Sequence, residues 1–174
     1  LAETKWNFMK FNPGLVGGHC LPVDPYYLSS IAKKNKINAA VILSGRKVND
    51  NMINFVLNEL KKFLKYKNKT LSSSKILLVG LSYKPGIADM RNSINFKIYK
   101  FLLKKNQNIK AFDPFVENEV KIKYGILDKI EKKNNYDAIL FLSKSKKFKE
   151  EFKKLRIKKN NLKIVDPFEY YKDI

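Results

Sequence analysis

Lys75-Ile76-Leu77-Leu78-Val79-Gly80 is the stretch on which the fold turns. Its apolar residues run without polar alternation, as a strand covered on both faces requires, and such strands belong to parallel sheets flanked by helices. Toward the C terminus the theme repeats. Ser93–Lys105 places Ile94, Ile98, Phe101 and Leu102 on one helical face. Asn108–Asp113 reads as a second strand, ended by Pro114, with Tyr136–Leu142 a third and Lys163–Asp166 a fourth. Helices are expected over Val116–Lys123, Leu127–Lys132 and Lys146–Leu155. Strands alternating with helices predict an α/β class with a parallel sheet and right-handed crossovers.

Upstream of the strand the texture differs. Lys67–Ser74 is polar and reads as a linker. From Asn38 to Tyr66, Val41, Val48, Ile53, Val56, Leu57, Leu60, Phe63 and Leu64 fall at helical spacings. A helix of that length with a wide apolar stripe points to a subunit or domain interface. Pro25 starts an earlier helix that runs to Lys34. Residues 1–24 read as extended or looped, punctuated by Pro13, Gly14, Gly17, Gly18 and Pro22. The chain therefore divides into residues 1–70 and residues 71–174.

Composition narrows the function classes. Of 174 residues 44% are apolar, enough for a packed core. No run of about eighteen uncharged apolar residues could span a membrane, and no secretory signal opens the chain. Leu1 begins in helix-like sequence, so a piece of a longer protein is expected. The single cysteine, Cys20, rules out an internal disulfide and fits a reducing, cytoplasmic setting. The net charge of +20 points to a polyanion. Its make-up argues against nucleic acid as that partner, because only Arg46, Arg91 and Arg156 are arginine, whereas base readout favours arginine. The scattered lysines read as solvated faces.

Two segments carry chemistry. The first is Phe11-Asn12-Pro13-Gly14-Leu15-Val16-Gly17-Gly18-His19-Cys20-Leu21-Pro22-Val23-Asp24-Pro25. Paired glycines let backbone approach a ligand closely. A helix N-terminus favours anions, hence a thiolate at Cys20, and Asp24 follows as a base or orienting group. A thiolate beside a carboxylate suits covalent chemistry on a carbonyl carbon. Equally, Cys20 reads as an ordinary small buried residue and the glycines as a turn. The second segment runs from Leu78 through Tyr83, Lys84 and Arg91 to Ser93, between a buried strand and a helix N-terminus. Open parallel sheets bind ligands there, phosphates above all. The three-glycine dinucleotide fingerprint is absent. His19, the only histidine, lacks neighbours at metal-ligand spacing. Asp113 reads either as a ribose contact or as Asp-Pro turn chemistry.

Together these segments resemble the UDP-glucose/GDP-mannose dehydrogenase family. Thr4-Lys5-Trp6-Asn7-Phe8 followed by the Gly14–Leu28 segment is similar to its UDP-N-acetylhexosamine 6-dehydrogenase branch, which makes uronic acids for capsules and O-antigens. The resemblance implies a nucleophile loop, a long central dimerisation helix over residues 38–66, and a Rossmann-like parallel-sheet UDP-binding domain. It implies Cys20 as nucleophile and Asp24 as activator of the hydrolytic water. Phe11, Asn12, Pro13 and Gly17 would line the sugar nucleotide, Tyr83 and Lys84 would hold it, and Arg91 would reach NAD. Such enzymes carry an upstream Rossmann NAD domain and a helix with a catalytic Lys and Asn, none of which is in this chain, so the chain alone is expected to be inactive. Many members also carry an Arg after the last strand's Asp, where here Asp166 is followed by Pro167, Phe168 and Glu169.

The activity so implied is a double oxidation of a UDP-N-acetylhexosamine (UDP-GlcNAc or UDP-GalNAc type) to the uronic acid, using two NAD and a cysteine thiohemiacetal and thioester. UDP-glucose or UDP-ManNAc dehydrogenase is the alternative substrate reading. A non-catalytic domain that binds a nucleotide-sugar or a polyanion is the alternative of another class.

Overall fold

Apolar side chains alternate across the central strands and sort into two cores, one on each face of a single sheet. The structure is a computed structural model and describes residues 4–9, 14–130, 135–154 and 163–171. Its strands are β1 (Ile76–Val79), β2 (Ile109–Phe112), β3 (Ile126–Leu127), β4 (Ala138–Phe141) and β5 (Ile164–Val165). They form a parallel sheet in the order β3-β2-β1-β4-β5. Ile76 and Leu78 point into one core with Ala111 and Leu140, whereas Leu77 and Val79 point into the other with Phe112 and Phe141. All four β1 residues are fully buried, which is why the run shows no polar alternation.

The helices are α1 (Asp24–Lys34), α2 (Ala40–Tyr66), α3 (Ile94–Leu103), α4 (Asn118–Tyr124) and α5 (Lys146–Lys154). α3 and the C-terminal half of α2 fill the first core, through Ile98, Leu102, Val56, Leu57, Leu60 and Leu64. α5 covers the opposite face with Phe148 and Phe152, and Phe152 packs on Phe141 at a ring separation of 5.0 Å. The long apolar stripe of α2 therefore splits. Its C-terminal half is core, while Val41 and Val48 in the N-terminal half are 88% and 64% exposed.

The Leu127–Lys132 helix expected from sequence is a correction. Ile126–Leu127 instead forms the short edge strand β3 against Ala111–Phe112. Gly125 caps α4 in the left-handed conformation (φ 64°) and turns the chain straight into the sheet. Two residues are too few to show any periodicity. Lys132 lies outside the described residues.

The reversal of strand order between β1 and β4 places a crevice at their C-terminal ends. Two loops meet there. Gly80 (φ +87°) follows β1 so closely that a Cβ on it would collide with Ser143 Oγ in the loop after β4.

Asp113, at the end of β2, holds this region together. Its Oδ2 accepts from the Leu81 N–H (2.8 Å), the Ser82 N–H (3.1 Å) and the Ser82 hydroxyl (3.1 Å), and it is 1% exposed. Removing it leaves buried donors without an acceptor. Asp113→Ala should therefore cost about 2–4 kcal/mol in urea unfolding. A loss below about 0.5 kcal/mol, the range of ordinary surface changes, would show that the carboxylate does not hold the loop.

Candidate active site

The loop after β1 is locked at every backbone polar atom of Leu81 and Ser82. Asp113 takes the Leu81 and Ser82 amides. Ser93, the N-cap of α3, donates its hydroxyl to the Leu81 carbonyl and accepts from the Phe96 amide at 3.2 Å. Asn95 Nδ2 donates to the Ser82 carbonyl at 3.0 Å. Tyr83 and Lys84 are thus the first residues of the loop with side chains outside the buried layer. Tyr171, whose hydroxyl burial pushes up to about 12, stays neutral and accepts from the Ser145 amide at 2.9 Å, pinning the facing β4 loop.

The glycine-rich segment lies against this platform. A Cβ on Gly17 would stand 2.8 Å from the Asn92 carbonyl oxygen and 2.9 Å from Tyr83 Cβ, so only glycine admits the approach. Gly18 (φ +95°) faces the Tyr83 ring in the same way. From the other side α2 grips the segment. Asn49 Oδ1 accepts from the Val16 amide (3.3 Å) and Asn49 Nδ2 donates to the Val16 carbonyl (3.2 Å). Arg46 Nη1 reaches the Leu21 carbonyl at 3.5 Å and Nη2 pairs with Asp50 at 3.3 Å.

Between loop and platform opens a hollow of about 430 Å³, bordered by Gly17, Gly18, His19, Cys20, Tyr83 and Lys84 among others. Gly17, Cys20, Tyr83 and Lys84 thus come together although some sixty residues separate the two segments. Cys20 is a free, exposed thiol. Its carbonyl accepts from the Val23 amide (2.9 Å) and the Asp24 amide (2.8 Å), the turn that opens α1. Asp24 therefore sits one turn beyond Cys20 and outside the hollow's lining. Phe11, Asn12 and Pro13 lie outside the described residues.

Arg91 also lies apart from the lining, gripped by Asp89. Its Nε reaches Asp89 Oδ1 at 3.0 Å and its Nη2 reaches Oδ2 at 2.7 Å, leaving the side chain 76% exposed. Hydrogen bonding from Arg91 holds the Asp89 carboxyl down at about 2, with the nearby His19 adding to the effect. Asp113 corrects one reading: its carboxylate is spent inside the protein, so it offers a ribose nothing. No cluster of three or more potential metal ligands occurs among the described residues. Sequence reasoning missed Asn49, Arg46 and Asn95. Each is a polar residue on a helix whose role exists only once another segment is laid against it.

The chain matches two family descriptions in order along its length. Residues 1–51 match the UDP-glucose/GDP-mannose dehydrogenase family, central domain, and residues 77–173 match the UDP-glucose/GDP-mannose dehydrogenase family, UDP binding domain. The chain belongs to this family. It is similar to UDP-N-acetyl-D-glucosamine 6-dehydrogenase of Salmonella typhi, 40% identical over 151 residues, which are 86% of this chain and 36% of that protein. It is also similar to Protein CapL of Staphylococcus aureus, 37% identical over 86% of this chain and 36% of that protein. In structure it resembles a UDP-D-ManNAc dehydrogenase from Pyrococcus horikoshii, with a TM-score of 0.77 and 26% identity over 99% of this chain and 40% of that one. The chain thus spans about a third of the length of the curated relatives it matches.

The Asp89–Arg91 pair gives a direct test of the loop's electrostatics. A carboxyl depressed in the folded state keeps its pair above the ordinary carboxylate range and loses it as pH falls through the lowered value. In a carboxyl-carbon NMR titration Asp89 should show a midpoint of about 2, and Arg91→Ala should return it toward 3.8. An unshifted midpoint in the unaltered chain would mean that the two side chains do not meet in solution.

Proposed function

We propose that this chain is the C-terminal portion of an NAD-dependent nucleotide-sugar 6-dehydrogenase that oxidises a UDP-N-acetylhexosamine to its uronic acid. The observation that carries this reading is the shared hollow, which sets a free thiol at Cys20 across from Lys84 and Tyr83. A thiol, a cation and an aromatic ring answer three parts of one substrate: an aldehyde carbon, a diphosphate and an apolar ring face. The similarity to UDP-N-acetyl-D-glucosamine 6-dehydrogenase supports UDP-GlcNAc as the substrate, with UDP-GalNAc, its epimer, the variant of the same reading. The structural likeness to a UDP-D-ManNAc dehydrogenase supports UDP-ManNAc as the second reading. Turnover of the three sugars side by side decides between them. The likeness to Protein CapL fits a place in the synthesis of capsule precursors.

Each residue then has a task. Lys84 neutralises the diphosphate, and Tyr83 with Gly17, Phe11, Asn12 and Pro13 borders the sugar nucleotide. The exposed guanidinium of Arg91, aimed by Asp89, fits a pyrophosphate and is the group of this chain that would meet NAD. Bound NAD would supply the hydride acceptor that both oxidations require. After the C6 alcohol has become an aldehyde, the Cys20 Sγ adds to C6 and the carbonyl oxygen takes a proton, giving a thiohemiacetal. Oxidation of that adduct leaves a thioester on Sγ. Water, helped by Asp24, adds to the thioester carbon; the C–S bond breaks, the thiol recovers its proton, and the carboxylate departs.

In the complete enzyme Cys20→Ser should lower NADH production by several orders of magnitude while still binding UDP-sugar, because a hydroxyl is a far weaker nucleophile near neutral pH. Lys84→Ala should weaken UDP-sugar binding by about 1–3 kcal/mol in calorimetry, the scale of a charge-assisted hydrogen bond. Near-normal turnover of Cys20→Ser removes the thiol from the mechanism.

The exposed half of α2 supports a homodimer. Val41 and Val48 lie seven residues apart on one face of the helix and are both exposed, an apolar stripe of the kind that pairs with its own copy. Light scattering on the complete enzyme should give a multiple of the monomer mass at micromolar concentration, and Val41→Asp with Val48→Asp should shift it toward monomer. A monomer before substitution overturns the dimer.

A further inference from the structure

We infer that Asn49 is a positioning residue for the Cys20 thiol: it fixes the nucleophile loop to α2 and so sets the reach of Sγ toward the Tyr83–Lys84 platform. The inference rests on the proposed thiol chemistry. Its observation is the two-point clamp of one side-chain amide on one backbone unit. Asn49 Oδ1 accepts from the Val16 amide at 3.3 Å while Asn49 Nδ2 donates to the Val16 carbonyl at 3.2 Å. A primary carboxamide is the side chain that both accepts and donates in one plane, as a neighbouring strand does.

The placement of the clamp gives it its effect. Val16 immediately precedes Gly17 and Gly18, whose lack of side chains lets the loop lie on Tyr83 and the Asn92 carbonyl. Glycines that permit a close approach also leave the backbone free to take other paths. The loop therefore needs anchors at its two ends. Asn49 supplies the one before the glycines, and Arg46, one turn earlier on α2, supplies the one after Cys20 through the Leu21 carbonyl. α2 is itself fixed, since Val56, Leu57, Leu60 and Leu64 further along are buried in the sheet's core. One rigid helix thus ties the thiol's loop to the domain that presents Lys84.

Reaction rates respond to such placement steeply: about 1 Å of displacement costs on the order of a hundredfold. In the complete enzyme Asn49→Ala should lower kcat by about tenfold to a hundredfold, with any rise in the KM for the UDP-sugar smaller than the fall in kcat, because Lys84 and Tyr83 stay in place while the loop around Gly17 shifts. Asn49→Asp has the same size and separates clamp from packing. It keeps an acceptor for the Val16 amide but sets a carboxylate oxygen against the Val16 carbonyl, and its kcat should fall comparably at an unchanged melting temperature. A merely space-filling role would spare the Asp variant, so an Asn49→Asp kcat within twofold of the unaltered enzyme overturns the inference. A rise in KM without a fall in kcat overturns it as well. Cys20→Ala in the same assay separates the two readings. Activity that survives Cys20→Ala removes the thiol mechanism, whereas activity lost there but kept in both Asn49 variants removes only the role of Asn49.

Discussion

A single buried carboxylate organises the functional end of this molecule. Asp113 gathers the Leu81 and Ser82 amides and the Ser82 hydroxyl, and its other oxygen accepts from the Phe115 amide at 3.0 Å. A carboxylate taken from water is tolerated only when its lone pairs are so filled. In return it fixes the exit of β1 relative to the end of β2. Ser93 and Asn95 complete the lock from α3. Tyr83 and Lys84, the next residues, are then presented from a base fixed by buried hydrogen bonds, which holds their spacing.

The second constraint is steric. The glycine loop approaches the platform so closely that side chains at positions 17 and 18 would strike Tyr83 or the Asn92 carbonyl. The glycines thus serve the contact between two chain segments and not merely a turn. Such a contact couples the segments: a shift of the platform moves the thiol, and a shift of α2 moves it too. The uncovered apolar half of α2 lies on the same helix as Arg46 and Asn49, so whatever packs on that half also bears on the loop.

Beyond β5, aromatic side chains tie the C-terminal segment to α2. Phe168 packs against Phe55 of α2, with ring centroids 6.2 Å apart, and against Tyr170 at 5.4 Å. It is one of the partly buried residues on the first core. Tyr170 in turn brings its hydroxyl to Gly14, where a Cβ would lie 2.8 Å away. The C-terminal segment thereby reaches the start of the glycine-rich loop through the Tyr170 hydroxyl.

The sequence by itself determined the α/β class, the strands β1, β2, β4 and β5 and most of the helices around them, because burial on two faces leaves uninterrupted apolar runs and burial on one leaves a helical period. It also singled out Cys20, Gly17, Tyr83 and Lys84 as candidates, since their motifs are local; that the four border one hollow was decided by the fold. It misread Leu127–Lys132, where a two-residue edge strand has no period to detect and is made by pairing with Ala111–Phe112. Only the tertiary structure decided that the α2 stripe divides into a core half and an exposed half, because both halves show the same spacing. Only the tertiary structure gave Asp113 to the β1 loop, and Asn49 and Arg46 to the two ends of the Cys20 loop. A hydrogen bond that spans 25 to 33 residues leaves no periodic trace along the chain; it comes into being when the sheet and α2 bring its partners within 3.5 Å.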